Sequence, residues 1–314
     1  MIVFCGYANR DLTVSVPALP GAGARVQATE VRERDGGMAA NAAVAAARVG
    51  AEVRFAGVVG PDARGEAFLG ALAEDGVDTA LTARTAALTT AIVLLTPDGE
   101  RAIISQDDGL DAALITDAYQ VAAADGWFYL DGYRFPAAHT ALAGRPGPRV
   151  LVDLDGCGTA ASARAALSLA EHAIVGRALA HQLIGDDAAL AQAAGTQRVH
   201  LVVTDGPRGW TLFEPGGRWH HGAALPVTAV DSTGAGDCFA GTYCAELDRG
   251  AESVQAARFA SVAAGLSCTR PGARDGLPRR ELVLAALDRI TPAHPWRPEP
   301  PRPPLKKETP CDER

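Results

Sequence analysis

The sequence predicts an α/β fold with a mostly parallel central sheet and helices on both of its faces. Short apolar runs alternate with helical segments along most of the chain, and this alternation is typical of such sheets. Residues 12–35 and 88–106 depart from it, because polar and apolar residues alternate there around turn signals at Pro20-Gly21 and Pro97-Asp98-Gly99. We expect these two segments to form small antiparallel hairpins.

Six short apolar runs predict the strands of the central sheet. These runs are Ile2–Gly6, Arg54–Val59, Trp127–Leu130, Val150–Leu154, Ala173–Val175 and Val199–Thr204. Helical segments lie between and after them, and the first is an Ala-rich run that ends before Gly50. The predicted helices are Met38–Val49, Arg64–Asp75, Pro136–Ala143, Ala160–Ala170, Asp187–Ala194, Phe239–Arg249, Ser253–Ser267 and Arg279–Ile290.

Composition excludes several classes of protein. A chain of 314 residues with 48% hydrophobic content can bury a large core, and a formal net charge of -8 argues against a general nucleic-acid binder. We expect no leader before the first strand, no uncharged apolar run reaches membrane-spanning length, and the six cysteines form no CxxC pair. We therefore expect a cytoplasmic protein without a membrane partner. Residues 291–314 are rich in proline and charge, so we expect a disordered tail after a folded domain of residues 1–290.

The most informative run is Asp231-Ser232-Thr233-Gly234-Ala235-Gly236-Asp237. Its small residues precede a helix-compatible segment, where free backbone N–H groups and the helix dipole favour an anion. Small side chains also let a phosphate approach the backbone. Asp237 is then placed to take a proton from the group that attacks the phosphate, which indicates phosphoryl transfer to a hydroxyl. A simple helix start after a Gly-rich loop would have the same sequence.

Polar residues that suit sugar hydroxyls occur near the beginning of the chain. Asn9 and Asp11 follow the first strand and would leave the same face of an extended segment. Gly36 and Gly37 precede a helix and let a ligand lie against the backbone, and Asn41 on the first turn offers both a donor and an acceptor. A helix cap with a solvent-facing Asn would explain the second pattern as well.

In this order, N-x-D, GG-x-x-x-N and D-S-T-G-A-G-D resemble the motifs of the ribokinase (PfkB) family of sugar and nucleoside kinases. The resemblance covers about residues 1–290. The segment from Cys268 to Pro278 is similar to the nucleotide-side loop of that family. Its residue sequence resembles the ketohexokinase-like and sulfofructose-kinase-like branch. The family implies a ribokinase-like fold in which the two hairpins form a lid over the sugar and, often, the contact of a homodimer.

The resemblance also implies which residues take part in the reaction. Asp237 would be the base, with the backbone N–H groups of Gly234, Ala235 and Gly236 as the anion hole for the γ-phosphoryl group of ATP. The sugar hydroxyls would be held by Asn9, Asp11, Gly36, Gly37 and Asn41. The nucleotide side would include Thr204, Gly206, Gly209 and Thr233. Mg²⁺ would accompany ATP, and Asp231 and Thr233 would border a K⁺ site with carbonyls near Cys268–Arg274.

One family element is missing from this chain. The family usually has N-x-x-E before a short helix, and the matching place here has Gly176-Arg177-Ala178-Leu179. Asp153 and Asp155 follow a predicted strand and are candidates for the magnesium, although polar caps of the strand would look the same. Arg134 is interpreted first as a surface residue. If it faced the pocket instead, its planar guanidinium would suit a sulfonated or phosphorylated ketose.

Three functions therefore stay open. The first is a sugar kinase that phosphorylates a primary hydroxyl, with a fructose- or sulfofructose-like ketose as the expected substrate. The second is a nucleoside kinase of the same family, which would need aromatic stacking surfaces near the lid. Residues 12–35 and 88–106 contain no Phe, Tyr or Trp, which disfavours it. The third is a sugar-binding sensor without turnover, prompted by the missing N-x-x-E and disfavoured by the intact GAGD.

Overall fold

The computed structural model describes residues 1–97, 101–106, 108–122 and 124–290. Its strands are β1 (Ile2–Cys5), β2 (Asn9–Ser15), β3 (Glu30–Gly36), β4 (Val53–Ala56), β5 (Thr89–Leu95), β6 (Arg101–Ile104), β7 (Trp127–Asp131), β8 (Arg149–Asp153), β9 (His172–Gly176), β10 (His200–Thr204), β11 (Trp210–Phe213) and β12 (Trp219–Gly222). Its helices are α1 (Met38–Arg48), α2 (Ala63–Glu74), α3 (Ala112–Val121), α4 (Ala137–Leu142), α5 (Ala160–Leu169), α6 (Arg177–Leu183), α7 (Asp187–Gln197), α8 (Ala235–Asp248), α9 (Ser253–Ser267) and α10 (Arg280–Arg289).

The main sheet has eight strands in the order β12-β11-β10-β9-β8-β7-β1-β4. The strands from β10 to β4 pair in parallel, and the antiparallel β11 and β12 extend the sheet beyond β10. The predicted parallel sheet is confirmed, since all six predicted apolar runs form its parallel strands. The hairpin of β11 and β12 was not predicted.

The smaller sheet has four strands in the order β3-β2-β5-β6. Each predicted hairpin is antiparallel, whereas β2 and β5 join the two hairpins in parallel, with Asn9 opposite Thr89. The first lid strand begins at Asn9, so the predicted sugar-binding residues Asn9 and Asp11 belong to the lid itself. Asp98 and Gly99 of the second predicted turn, and the segment 291–314, lie outside the described residues.

Helices cover both faces of the main sheet, as predicted. Ile2 and Phe4 of β1 face a core built with α1, α8 and α9, whereas Val3 and Cys5 face a second core built with α3, α4, α5 and α7. The predicted helices are present, and the chain adds α3 and α6, which were not predicted. Helix α8 begins at Ala235 rather than at Phe239. Within the described ranges, no helix is long and apolar enough to cross a membrane.

The order of the strands places a crevice above β1. The chain passes from β1 to β4 on one side and later returns to β7 on the other. In parallel sheets such a reversal leaves a crevice beyond the carboxyl ends of the strands. The lid strands leave β1 at this end, and Asp131, Asp153 and Gly176 end the neighbouring strands there.

Candidate active site

The beginnings of α1 and α8 meet at this crevice. The N-caps Gly37 and Gly234 have φ of 101° and 73°, a conformation that favours glycine. A Cβ at Gly37 would lie 2.5 Å from the carbonyl oxygen of Tyr7, and one at Gly234 would lie 2.8 Å from the Ala273 Cβ. Only glycine therefore fits at these two N-caps, where any side chain would clash with the neighbouring segment.

Asn41 and Asp237 are the side chains that these helix starts bring together. The Asn41 Nδ2 donates a hydrogen bond of 2.8 Å to Asp237 Oδ2, and Asn41 is only 3% exposed. Burial raises the pKa of Asp237 to about 7, against the lowering effect of the Asn41 hydrogen bond. A carboxylate with a pKa near neutrality is suited to general-base catalysis, because it can both accept and release a proton at working pH.

The lid contributes Asn9 and Asp11 to the same place. Asn9 Nδ2 donates to Asp11 Oδ1 at 3.0 Å, while the buried Asn9 Oδ1 has no hydrogen-bond partner among the described residues. A Cβ at Gly36 would lie 2.3 Å from Asp11 Oδ2 and 2.8 Å from Asn9 Oδ1. Burial raises the pKa of Asp11. An unpartnered buried oxygen beside a carboxylate is suited to a hydrogen bond with a polar ligand or with water.

The sequence interpretation missed Arg274 as part of this site. Its side chain is buried, its Nε donates to Asn41 Oδ1 at 2.8 Å, and its Nη2 donates to the Gly36 carbonyl at 3.0 Å. The residue lies in the loop between α9 and α10, in the segment that carried the resemblance to the nucleotide-side loop. A basic residue within Pro271-Gly272-Ala273-Arg274 is the only signal that the sequence offers for it.

The turn before α8 exposes part of the predicted anion hole. The Ala235 N–H donates to the Ser232 carbonyl at 3.2 Å and is used within the turn. Gly236 and Asp237 belong to the first helical turn, where backbone N–H groups have no partner four residues earlier. The free donors of this turn therefore come from Gly236 and Asp237 more than from Ala235.

Asp153 and Asp155 lie opposite this turn. Asp155 Oδ1 accepts the Gly176 N–H at 2.8 Å, and a Cβ at Gly236 would be 4.0 Å from Asp155 Oδ2. Asp153 is 2% exposed and accepts the Asp155 N–H at 3.0 Å. Burial raises the pKa of both carboxyls. Asp153 thus caps the strand end, and Asp155 has an oxygen directed to the space over the turn.

A cleft of about 590 Å³ lies along the ends of β9 and β10 and includes Gly176, whose N–H group donates to Asp155. Thr204 and Gly206 line it together with Arg177, Ala178 and Leu179, which stand at the place of the missing N-x-x-E. The predicted nucleotide-side residues Thr204 and Gly206 are therefore brought together. Gly209 instead shapes the turn behind them, with φ of 94° and no room for a Cβ beside the Gly222 carbonyl.

Arg177, at a variable position of the missing N-x-x-E, brings a positive charge to that cleft. Its guanidinium pairs with Asp205 at 2.9 Å and Asp187 at 2.6 Å, and donates to Thr211 Oγ1 at 3.1 Å. The hydrogen bond from Arg208 lowers the pKa of Asp205. The cleft is therefore lined by paired charges, and the carboxyl of Asp205 among them stays ionised at neutral pH.

Asp231 and Thr233 lie on the far side of the Gly234 turn. Asp231 Oδ1 accepts the Thr233 N–H at 2.9 Å, and Asp231 Oδ2 accepts the Gly272 N–H at 2.8 Å. Partial burial raises the pKa of Asp231, but these hydrogen bonds prevail and hold it below its usual value. The Cys268 carbonyl is already bonded to the N–H groups of Val230 and Asp231. Asp231 thus ties the turn to the 268–274 segment.

Arg134 does not join the sugar-binding residues. It is 5% exposed, its Nη1 donates to Asp108 Oδ1 at 3.0 Å, and its Nε donates to Asp131 Oδ1 at 3.3 Å. Burial raises the pKa of Asp131 to about 6 despite this partner. The interpretation of Arg134 as a surface residue is therefore wrong. Its guanidinium is held by two carboxylates, so the structure gives the predicted contact with an anionic sugar no support.

Comparisons with known proteins agree with this fold and point to one family. The model of one family, pfkB family carbohydrate kinase, matches residues 1–280. The ribokinase of Bacillus subtilis is 30% identical over 308 residues, which cover 91% of this chain and 99% of that protein.

Two solved structures are similar as well. The ribokinase of Giardia lamblia has a TM-score of 0.81 and 25% identity, covering 92% of this chain and 99% of the other. The ribokinase of Arabidopsis thaliana complexed with ribose and ATP has a TM-score of 0.75 and 24% identity, covering 91% and 98%. The last likeness supports the fold alone.

Proposed function

The chain belongs to the pfkB family of carbohydrate kinases, which are phosphotransferases with an alcohol acceptor, and we propose that it transfers the γ-phosphoryl group of ATP to a primary hydroxyl of a small sugar. The observation that carries this proposal is the contact between Asn41 and Asp237 at the start of α8, facing Asn9, Asp11 and Gly36 of the lid. It supports a site in which a base, an anion-binding turn and hydroxyl-binding groups share one crevice.

Asp237 accepts the proton of the attacking hydroxyl. The hydroxyl oxygen forms a bond to the γ-phosphorus while the bond from that phosphorus to the bridging oxygen breaks, and ADP leaves with that electron pair. Asn41 holds one oxygen of the carboxylate, so the other is free to meet the hydroxyl. A positioned general base typically contributes about two to four orders of magnitude in rate.

The turn before α8 stabilises the charge on the transferred group. Donors at a helix start favour an anion without any movement during the reaction. We assign this role to the N–H groups of Gly236 and Asp237, supported by Gly234, because the Ala235 N–H already bonds to Ser232. Most of the remaining contribution is positioning of the two substrates.

Mg²⁺ bound with ATP would neutralise phosphate charge. The chain offers Asp155 for it, since a carboxylate is a preferred ligand of this ion and one of its oxygens faces the turn. Asp153 supports the Asp155 backbone from the strand end. The nucleotide would lie in the cleft lined by Thr204, Gly206 and Arg177.

Ribose is the first substrate to test, because the named relatives are ribokinases. The pairing of Arg134 with Asp108 and Asp131 removes the argument for a sulfonated sugar that rested on this arginine. A ketose such as fructose is the second candidate. Its only support is the resemblance of the Cys268–Pro278 sequence to the ketohexokinase-like branch.

The test is ATP consumption by the purified full-length chain with Mg²⁺ and K⁺. The acceptors are ribose, fructose, sulfofructose, tagatose, adenosine and fructose 6-phosphate, and Asp237→Asn is measured beside the wild type. Turnover with ribose that the variant loses would support the proposal. Turnover with adenosine alone would replace it with a nucleoside kinase. Ligand-induced stabilisation without any turnover would overturn it in favour of a sugar sensor.

We also propose a monovalent-cation requirement at Asp231 and Thr233. Asp231 stays ionised and joins the Gly234 turn to the 268–274 segment, so a cation there would act on the anion hole. Replacing K⁺ by Na⁺ or choline in the same assay should lower turnover. Equal rates in all three salts would remove this requirement.

We propose a homodimer through the lid. Val31, Ile103 and Ile104 are 57%, 56% and 61% exposed, and large exposed apolar side chains on one small sheet are typical of an interface. Sedimentation of the wild type and of Ile104→Lys measures this directly. A wild type that sediments as a monomer at all concentrations would refute the dimer.

A further inference from the structure

We propose that Arg274 is a positioning residue, whose guanidinium fixes the Asn41 amide so that its NH₂ group faces Asp237. Three hydrogen bonds carry this inference, which rests on the proposed function only in that Asp237 is the base. Arg274 Nε donates to Asn41 Oδ1 at 2.8 Å, Arg274 Nη2 donates to the Gly36 carbonyl at 3.0 Å, and Asn41 Nδ2 donates to Asp237 Oδ2 at 2.8 Å.

The orientation of the Asn41 amide is decided by its partners. The two ends of an amide have nearly the same shape, and only hydrogen bonds distinguish the oxygen from the nitrogen. A guanidinium donates and never accepts, so the end of the amide that faces Arg274 must be the oxygen. The NH₂ group then points at Asp237. Without Arg274 the amide could rotate and present its oxygen to the carboxylate, which would repel it.

The structure holds Arg274 firmly in this place. Its guanidinium lies 4.8 Å from the ring centroid of Phe68, and its side chain is buried. Arg48 at the end of α1 donates to the carbonyls of Arg274 and Leu277 and pairs with Asp75 at 2.6 Å. The guanidinium of Arg274 also contacts Gly36, the last residue of lid strand β3. Arg274 therefore links the lid, α1 and the base through one buried cation.

The positive charge of Arg274 lowers the pKa of Asp237, as does the Asn41 hydrogen bond that Arg274 holds in place. Burial raises the pKa of Asp237, the Asn41 hydrogen bond lowers it, Asp11 and Asp155 raise it, and Arg274 lowers it. Arg274 keeps a positive charge at neutral pH, although burial lowers its own pKa to about 10. Removing Arg274 takes away a favourable charge and loosens the hydrogen bond from Asn41. Both effects move the pKa of Asp237 upward.

The experiment titrates Asp237 directly, by NMR of isotope-labelled aspartate carboxyls in the full-length chain. The signal of Asp237 is assigned by its loss in Asp237→Asn. We compare the wild type with Arg274→Met, with Arg274→Lys, and with the matched control Arg258→Met, which changes an exposed arginine on α9. Arg274→Met should raise the pKa of Asp237 by about one unit. Arg274→Lys should raise it less, and Arg258→Met should leave it unchanged.

Kinetics give an independent measure of the same role. At neutral pH, Arg274→Met should lower kcat about fivefold with an unchanged KM for ATP, and most of the loss should return at about pH 9, where Asp237 is ionised again. A purely structural role would give a loss that does not depend on pH.

A folded Arg274→Met with the wild-type pKa of Asp237 would overturn the proposal. If that variant does not fold, Arg274→Leu takes its place, since it likewise removes the charge and every donor while keeping an apolar side chain beside Phe68. It should give the same upward shift, and an unchanged pKa would again overturn the proposal. The titration needs no turnover, so a wild type that phosphorylates no sugar would refute the proposed function and still leave the role of Arg274 to be decided.

Discussion

Gly241 of α8 packs directly against Ala42 of α1. A Cβ added at Gly241 would lie 2.1 Å from the Ala42 carbonyl oxygen and 2.8 Å from its carbonyl carbon. Asn41 precedes Ala42, and Asp237 lies one helical turn before Gly241. The missing side chain at Gly241 therefore sets the distance between α1 and α8, and with it the hydrogen bond between Asn41 and Asp237.

Gly241→Ala should separate the two helices. The added methyl group should destabilise the fold by about 1–3 kcal/mol and reduce turnover, because the Asn41 to Asp237 hydrogen bond depends on this packing. Chemical unfolding and the ATP-consumption rate measure both effects. Gly70→Ala in α2 is the matched control, since a Cβ there meets nothing within 4 Å. It should stabilise the protein by up to about 1 kcal/mol with unchanged turnover. Equal behaviour of the two variants would contradict this account of Gly241.

Asp237→Asn should remove turnover while the fold persists. Loss of the base should lower kcat by about two to four orders of magnitude. The amide has the same shape as the carboxyl and carries no buried charge, so the melting temperature should not fall. Asp117→Asn, an exposed change on α3, is the control for both measurements. A variant that keeps the wild-type kcat would remove Asp237 from the mechanism.

Because of Asp237, activity should rise with pH while the stability of the fold falls. Its pKa rises from 3.8 in the unfolded chain to about 7 in the fold, so the folded state keeps a proton that the unfolded chain has lost. Stability therefore falls as the pH rises between these values, and Asp237→Asn should gain on the wild type over the same range. Activity needs the ionised form, so kcat/KM should rise with pH through about 7. An acid limb of kcat/KM near pH 4 would contradict the raised pKa of Asp237.

Local patterns predicted most of the fold. The parallel strands are continuous apolar runs, and the predicted helices are long enough to show their period. Helix α6 escaped prediction because it is short, follows β9 directly at Gly176 and has no side-chain cap. Helix α3 did carry a signal, since Asp111 accepts the N–H groups of Ala113 and Leu114 as its N-cap.

The candidate site was predictable only where a motif marks it. Asn9, Asp11, Gly36, Asn41 and Asp237 stand in recognisable patterns, and the fold brings them together. Arg274 lies 233 residues from Asn41, and nothing in its own neighbourhood shows that this contact exists. The general preference of arginine for the surface predicts an exposed Arg134, although Asp131 three residues earlier is a sign of its buried partner.

Gly36→Ala should weaken sugar binding without affecting the nucleotide. The new Cβ would fall 2.3 Å from Asp11 Oδ2 and 2.8 Å from Asn9 Oδ1, so both side chains must move. The KM for the sugar should rise at least about tenfold, with an unchanged KM for ATP. Gly21→Ala is the control, since a Cβ at Gly21 meets nothing within 4 Å. A rise in the KM for ATP alone would move Gly36 out of the sugar site.

Asp155→Asn should distinguish two roles of Asp155, as a ligand of Mg²⁺ and as a charge near Asp237. The amide oxygen can still accept the Gly176 N–H, which Asp155 Oδ1 accepts at 2.8 Å, while the charge facing Gly236 is lost. If Asp155 holds Mg²⁺, the concentration of Mg²⁺ that gives half of the maximal rate should rise about tenfold, because a carboxylate binds this ion far better than an amide.

The same Asp155→Asn change acts on Asp237 in the other direction. Asp155 raises the pKa of Asp237, so its loss should move the acid limb of kcat/KM to lower pH. Saturating Mg²⁺ restores the rate but not the shifted limb, which distinguishes the two effects in one protein. Asp117→Asn should change neither. An unchanged Mg²⁺ requirement together with a lowered acid limb would leave Asp155 as a neighbour of the base and place the metal on other groups.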